Sequence, residues 1–521
     1  MTAGTSNSST VSPLRWFHLL LLLLVLCLGA SMRWYRIDSQ SLWFDEYWAL
    51  YLATGRGDQL FQVPHGVIVD APPHAGFAGA PAWWHIWTGL DSVTHPPLYY
   101  IGLRWWVDLF GDGDRAIRAM SWLFGVAAAA VLFDAVRRTA GPWRGLAAAA
   151  IMAFAFVQIE FSQSARPYTL LIFLGLILCD ALIAIERRGP SARSRGVLAP
   201  EIFVVGCATA ALALTHYFSL GPILGAGIYV TSRRGARWRK PALIAMAAGL
   251  LVAAALWGPI AWETRQVFAA FPDFAKIPNA GPIQTVLAVV KIPIRLLLDP
   301  SQDWRWFTAL PLALLVFVTP LFRLAKSPTL LLWWLWTVGT IFIILAVDSV
   351  RHSMMIGWVR YVFLASPAVY ATLATIIPGR PGGCVAALVV LCAAVYGASR
   401  TQTGTEPTED WKTMAQLIHH HVAPGDVVAL IGYYDNEPAY DYFVIAHYIG
   451  DWKGPVIFLM APPDGPARRQ LASRQRVWMV GHAAQSETAR LLPGWGVGAA
   501  FGIGTRNALW RLIPPPIWET R

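Results

Sequence analysis

Two adjacent carboxylates, Asp45 and Glu46, close the run Ser41-Leu42-Trp43-Phe44-Asp45-Glu46. Such a pair can supply a general base to a nearby hydroxyl, or it can ligate a divalent cation. It lies a short way past the first long apolar run, Leu14 to Ala30, among Trp43, Phe44, Tyr47, Trp48 and Tyr51. The plain alternative is an aromatic belt at a membrane surface whose acids face water. What raises the pair above that is its company further along the chain. His95 stands in Thr94-His95-Pro96-Pro97-Leu98-Tyr99-Tyr100, and Arg166 and Tyr168 in the stretch Phe161 to Leu171. His216 follows in Thr215-His216-Tyr217-Phe218, and Arg360-Tyr361 opens a late apolar run. Each sits at the end of an apolar stretch, where an arginine either snorkels to head groups or meets a phosphate.

The elements that must position these residues are membrane spans. Of 521 residues, 56% are hydrophobic and only 14% charged, and the mean hydropathy is +0.48. That is the composition of a polytopic membrane protein. The formal net charge of +11 does not point to nucleic acid, because the arginines fall in short clusters between apolar runs, as membrane topology requires. Five cysteines, at 27, 179, 207, 384 and 392, all lie inside apolar runs and read as small buried hydrophobes.

Windows of about 20 residues give about 11 spans, near 15–35, 115–136, 144–161, 169–185, 200–214, 218–232, 241–261, 307–322, 329–347, 361–377 and 383–398. The first is read as an uncleaved signal anchor after a cytoplasmic tail, 1–14. Arginine clusters near 137–144, 187–195, 233–239 and 323 fall on one side, which puts the N-terminus in the cytoplasm and the C-terminus outside. The outer side then carries a long first loop, 36–114, with interfacial helices, and a further interfacial helix at 282–298. From about residue 401 the pattern changes. A helix near 409–421 and strands near 426–431, 455–460 and 477–480 predict a small α/β domain outside the membrane, 401–521.

Taken together and in this order, the outer-side motifs resemble those of bacterial GT-C-fold glycosyltransferases. They are most similar to the branch of protein O-mannosyltransferases and rhizobial lipopolysaccharide galacturonosyltransferases, and the resemblance covers about 15–400. It implies transfer of a hexosyl or pentosyl group from a polyprenyl-phosphate-sugar donor to a hydroxyl of a cell-envelope lipid, glycan or protein, on the periplasmic face of the plasma membrane. Asp45 matches the first acid of the family's pair and is the implied base, with Glu46 orienting the acceptor or positioning Asp45. Arg166, Arg360 and His95 are the implied phosphate partners, and Tyr168, His216 and Tyr361 can line the pocket. His95 matches the position where aminoarabinose-transferring relatives carry lysine. Ser164 departs from the pattern, since relatives carry glutamate before the Ala-Arg.

Other signals carry less. His419-His420-His421 point in different directions on a helix, so they make a poor metal site, and a divalent cation at the acid pair is the one cofactor the residues leave room for. Asp134, Glu160 and Asp180 near span ends would suit a proton relay in a secondary transporter or flippase of a lipid-linked or small polar substrate, and here read as acids near the interface or paired. Against that rival stand the long aromatic outer loop and the absence of paired halves.

Overall fold

The computed structural model describes residues 13–57, 62–74, 76–89, 95–188, 199–265, 281–298, 304–324, 327–376, 410–431, 439–450, 454–474, 476–481, 484–502 and 508–515. The chain divides into two compact units. One comprises Met1–Arg36, Val93–Tyr99 and Arg118–Thr403, and the other Ile37–Ser92, Tyr100–Ile117 and Gly404–Arg521. The sequence reading grouped the loop 36–114 with the membrane module, whereas most of that loop clusters with the C-terminal segment.

The first eleven helices, α1 to α11, are Trp16–Trp34, Phe44–Ala53, His85–Thr88, Leu98–Phe110, Asp114–Ala140, Pro142–Phe154, Phe156–Ser162, Tyr168–Arg188, Ala199–Ala213, Leu220–Ser232 and Arg239–Glu263. Among the described residues six helices are long and apolar enough to cross a membrane: α1, α5, α8, α11, Thr329–Arg351 and Val359–Ile376. Six of the eleven expected spans fall on them. The expected third span is a bent pair, α6 and α7, which meet at 58°. The expected fifth, sixth and eighth fall on shorter apolar helices, α9, α10 and Trp306–Ala313 with the turns that continue it to Phe322. The eleventh, near 383–398, lies outside the described residues. The chain is a multi-pass membrane protein, and its lipid-ready surface is plain on α1, where Leu19, Leu20, Leu23 and Leu24 are exposed.

Two devices hold the membrane unit together. Arg33, 1% exposed near the end of α1, stabilises the break between α6 and α7. Its guanidinium donates to the carbonyls of Met152 (2.7 Å) and Ala153 at the end of α6, to the carbonyl of Gly29 (3.0 Å) and to Ser162 Oγ (3.1 Å). A bend frees backbone carbonyls that lipid cannot satisfy, and a planar donor with five N–H groups meets several at once. The second device is close helix contact. Gly221 and Gly225, spaced as in a small-xxx-small motif, let α10 lie against the helix Pro328–Arg351. A Cβ on Gly225 would fall 2.5 Å from the carbonyl of Leu335.

In the second unit a six-stranded sheet has the order β1-β3-β2-β4-β6-β5, with β1 Ile68–Val69, β2 Val427–Leu430, β3 Val456–Phe458, β4 Val477–Gly481, β5 Gly496–Phe501 and β6 Ala508–Ile513. β3, β2 and β4 are parallel, connected through the helices Ala439–Ile449 and Gly465–Ala472, and the remaining pairs are antiparallel. The helix Trp411–His421 opens this segment, and its Asp410 cap accepts from Thr413 N–H at 3.1 Å. β1 comes from the first loop: Ile68 pairs with Ile457 and Val69 with Val456. Two residues of strand carry no periodic signal, which is why the loop's place in this unit was not legible.

Candidate active site

In the membrane unit six of the expected site residues converge. Arg166 lies in the turn entering α8, and Tyr168 opens that helix. His216 follows the end of α9, and Arg360 and Tyr361 sit on the short helix Val359–Val362. Together with Leu171, Phe218, Phe363 and Leu364, four of these (Tyr168, His216, Arg360 and Tyr361) line an open pocket. The Arg166 guanidinium lies 5.8 Å from the Tyr168 ring centre, and the His95 and His216 rings are 4.7 Å apart. Nothing acidic lines the pocket among the described residues.

Each side chain is fixed by a neighbouring backbone. Leu98 N–H donates to Leu214 O at 3.0 Å, tying the His95-Pro96-Pro97 turn to the end of α9. Ser121 Oγ donates to the carbonyl of Arg166 at 3.3 Å. Arg360 rests on the rings of Trp358 and Tyr361, 4.8 and 5.0 Å from their centres, and its Nη2 donates to the Tyr361 hydroxyl at 3.3 Å. The turn leading to Arg360 is organised by Asp348. That carboxylate accepts from Ser353 Oγ (2.6 Å), Met355 N–H (2.7 Å) and Ile356 N–H (2.9 Å). Arg295 adds a bond from Nη1 to Gly357 O at 2.5 Å.

His216 has a defined tautomer. Its Nδ1 accepts Phe218 N–H at 3.1 Å, so the ring proton belongs on Nε2. Burial pushes its pKa well below 6.5, and His95 and Arg166 push it the same way. The imidazole is therefore neutral at pH 7 and serves as a hydrogen-bond donor. The Arg360 guanidinium and the neutral His216 N–H in the pocket lining, with Arg166 beside His216, suit an anion with several oxygens.

Asp45 and Glu46 stand in the first turn of α2, in the second unit. Glu46 is 1% exposed, and its Oε2 accepts Trp43 N–H at 3.3 Å, the reach-back half of a capping box. Asp45 is half-buried. Both acids also favour the positive end of the helix. α2 packs through its aromatic residues. Phe44 and Trp48 lie edge-on to Tyr440, with ring centres 4.9 and 5.4 Å apart, and Tyr51 is 5.3 Å from Phe443.

Several residues were not anticipated. Phe363 and Leu364 line the pocket from a stretch that reads only as apolar. Phe218 belongs to the Thr-His-Tyr-Phe run but carried no separate signal. Asp348 did leave a trace, as a lone acid near the end of a long apolar run. Two of the three acids near span ends are paired: Asp134 with Arg137 and Arg138, and Asp180 with Arg138 at 3.3 Å. His421 stacks on Phe501 at 3.9 Å, and among the described residues no three His, Cys, Asp or Glu side chains stand together as a metal site.

Residues 94–262 match the family model of dolichyl-phosphate-mannose–protein mannosyltransferases. The structure resembles ArnT from Cupriavidus metallidurans bound to undecaprenyl phosphate, with a TM-score of 0.57 at 12% identity, over 95% of this chain and 98% of that one. The fold is GT-C. A second GT-C resemblance is to the oligosaccharyltransferase of Archaeoglobus fulgidus tethered to an acceptor peptide, with a TM-score of 0.52 at 11% identity, over 97% of this chain and 74% of that one. No curated protein matches the chain. The GT-C resemblance first visible in the outer-side motifs thus extends over almost the whole chain.

Proposed function

We propose that this GT-C protein is a membrane glycosyltransferase that moves a hexosyl or pentosyl group from a polyprenyl-phosphate-sugar to a hydroxyl of an envelope lipid, glycan or protein. The observation that carries this reading is a pocket with no acidic lining among the described residues, where Arg360 and neutral His216 stand at the ends of apolar helices with Arg166 beside His216. A lipid phosphate is the anion expected in that place. The solved structures it resembles include an ArnT holding undecaprenyl phosphate and an archaeal oligosaccharyltransferase holding dolichol phosphate.

In the proposed reaction the acceptor oxygen bonds to the anomeric carbon as the bond from that carbon to the phosphate oxygen breaks. The electron pair leaves with the polyprenyl phosphate, whose charge Arg166 and Arg360 neutralise. The proton of the acceptor hydroxyl passes to Asp45. Glu46 holds the first turn of α2 through Trp43 N–H and so keeps Asp45 oriented. In this reading the chemistry takes place on the outer face of a plasma membrane, with a cytoplasmic N-terminus, an orientation that the arginine clusters between spans support. Ion pairing of Asp134 and Asp180 with arginines weighs against a proton relay at those two positions.

The test supplies labelled undecaprenyl-phosphate-linked mannose, galacturonate or aminoarabinose to membranes containing the protein. Label transferred to an envelope acceptor supports the reading. Uptake of label without transfer overturns it.

A further inference from the structure

We infer that Asp114, Lys412 and Tyr448 are positioning residues that fix the chain entering α2 and so set the direction of the turn carrying Asp45. All belong to the second unit, and the role rests on the proposed reading of Asp45 as the base.

Asp114 is the centre of the arrangement. Its carboxylate is 7% exposed and meets three groups contributed by residues 411–449: Lys412 Nζ at 2.8 Å, the Tyr448 hydroxyl at 3.0 Å and His447 Nε2 at 3.4 Å. Two of these reach onward to the strand of backbone before α2. The Tyr448 hydroxyl accepts Leu42 N–H at 2.6 Å while donating to Asp114, a relay from the backbone through the phenol to the acid. Lys412 donates its backbone N–H to Ser41 Oγ at 3.0 Å, and its ammonium also reaches the carbonyls of Asp38 (2.5 Å) and Gln40 (3.3 Å). Arg115, next to Asp114, pairs with Asp38 at 2.8 Å. Residues 38, 40 and 42 are therefore held by side chains, and Ser41 by the Lys412 backbone N–H, one to five residues before the N-cap Trp43.

The physical reason is local. The chain entering α2 lies outside helix and strand at residues 41–43, and a helix of ten residues is too short to hold its own direction. A buried carboxylate bonded to a lysine, a phenol and an imidazole is a fully connected network. Such networks fix geometry where an apolar contact would allow sliding. Aromatic packing of Phe44, Trp48 and Tyr51 supplies adhesion along α2, while the network around Asp114 sets where the helix begins. This assigns a task to the C-terminal domain: it is the outer support of the acid pair.

The experiment uses the full-length protein in nanodiscs, with the same three undecaprenyl-phosphate-linked sugars and membranes from a deletion strain as acceptor source. Two readouts are combined: steady-state transfer, and hydrogen exchange over the peptide 41–53. Tyr448→Phe and Lys412→Met should lower kcat about tenfold to a hundredfold, the range expected for a misplaced catalytic group. The donor KM should stay at its parental value, exchange over 41–53 should quicken, and Lys412→Arg should recover most of the loss. Parental exchange over 41–53 in both variants overturns the inference whatever the activity. Faster exchange with parental kcat also overturns it, because the network would then be only a structural tie. A parent inactive with all three donors overturns the glycosyltransferase reading instead, and exchange over 41–53 still decides whether the network holds α2.

Discussion

The Nδ1 of His216 accepts the backbone N–H of Phe218 at 3.1 Å. That bond caps the short turn Tyr217–Ser219, orients the ring and leaves Nε2 as the donor. Burial beside His95 and Arg166 keeps the ring neutral, so the pocket's positive charge rests on its arginines at neutral pH.

A pH dependence follows, with a definite sign. The folded-state pKa of His216 lies below its ordinary 6.5, so between the two values the unfolded chain binds more protons. The stability tied to neutral His216 is complete above about pH 6.5 and is lost as the pH falls toward the folded value. Asparagine caps helical turns well and does not titrate. His216→Asn should therefore shrink the drop in melting temperature between pH 7.5 and pH 5, while weakening donor binding about tenfold through the lost Nε2 donor. An unchanged drop would assign the acid sensitivity elsewhere.

The two arginines should matter for the donor and little for the fold. A charge-assisted hydrogen bond contributes about 1.5–3 kcal/mol, or roughly tenfold to a hundredfold in affinity. Arg166→Ala and Arg360→Ala should weaken binding of undecaprenyl phosphate by that range, and lysine at either position should restore only part, since it cannot make a bidentate contact. Parental affinity in both alanine variants, measured by lipid titration, would reassign these residues to anchoring at head groups.

Arg33 should matter for the fold. Arg33→Leu leaves the carbonyls of Met152 and Ala153 without their donor at the 58° break, at a cost of about 1–3 kcal/mol for each buried group left unsatisfied. Thermal unfolding in detergent should show a clear loss, with Arg33→Lys intermediate because one ammonium cannot span four acceptors. A parental melting temperature for Arg33→Leu would contradict the account of the bend.

Much of this was legible in the sequence, for physical reasons that differ by element. Apolar runs of span length are unambiguous, so α1, α5, α8 and α11 fall where hydropathy puts them. The cations and histidines now seen around the pocket were found because each interrupts the end of such a run. The 58° bend was not legible: Ala155, where α6 gives way to α7, has no proline or glycine beside it, and the arginine that stabilises the break is 122 positions away. Asp348 was overlooked because two of its three partners are backbone N–H groups, which leave no mark in sequence. β5 was missed since Gly496-Val497-Gly498-Ala499-Ala500-Phe501 has weak strand preference, and β1 because two residues are too few to show alternation. Asp114 reads from sequence only as an acid opening a long helix. Its role depends on Lys412 and Tyr448, some three hundred residues later.

The most direct measurement is single-turnover sugar transfer by Asp45→Asn protein, alongside donor binding to the same preparation. Asparagine keeps the shape and removes the proton acceptor, and loss of a general base lowers rate by about 10²–10⁴. Transfer should collapse by that factor while undecaprenyl-phosphate affinity stays parental. Glu46→Gln, which can still accept Trp43 N–H, should retain most of the activity. Near-parental transfer by a folded Asp45→Asn protein would contradict the account. Severe loss in both variants, with loss of parental activity on chelation, would contradict it in favour of a divalent ion held by the pair.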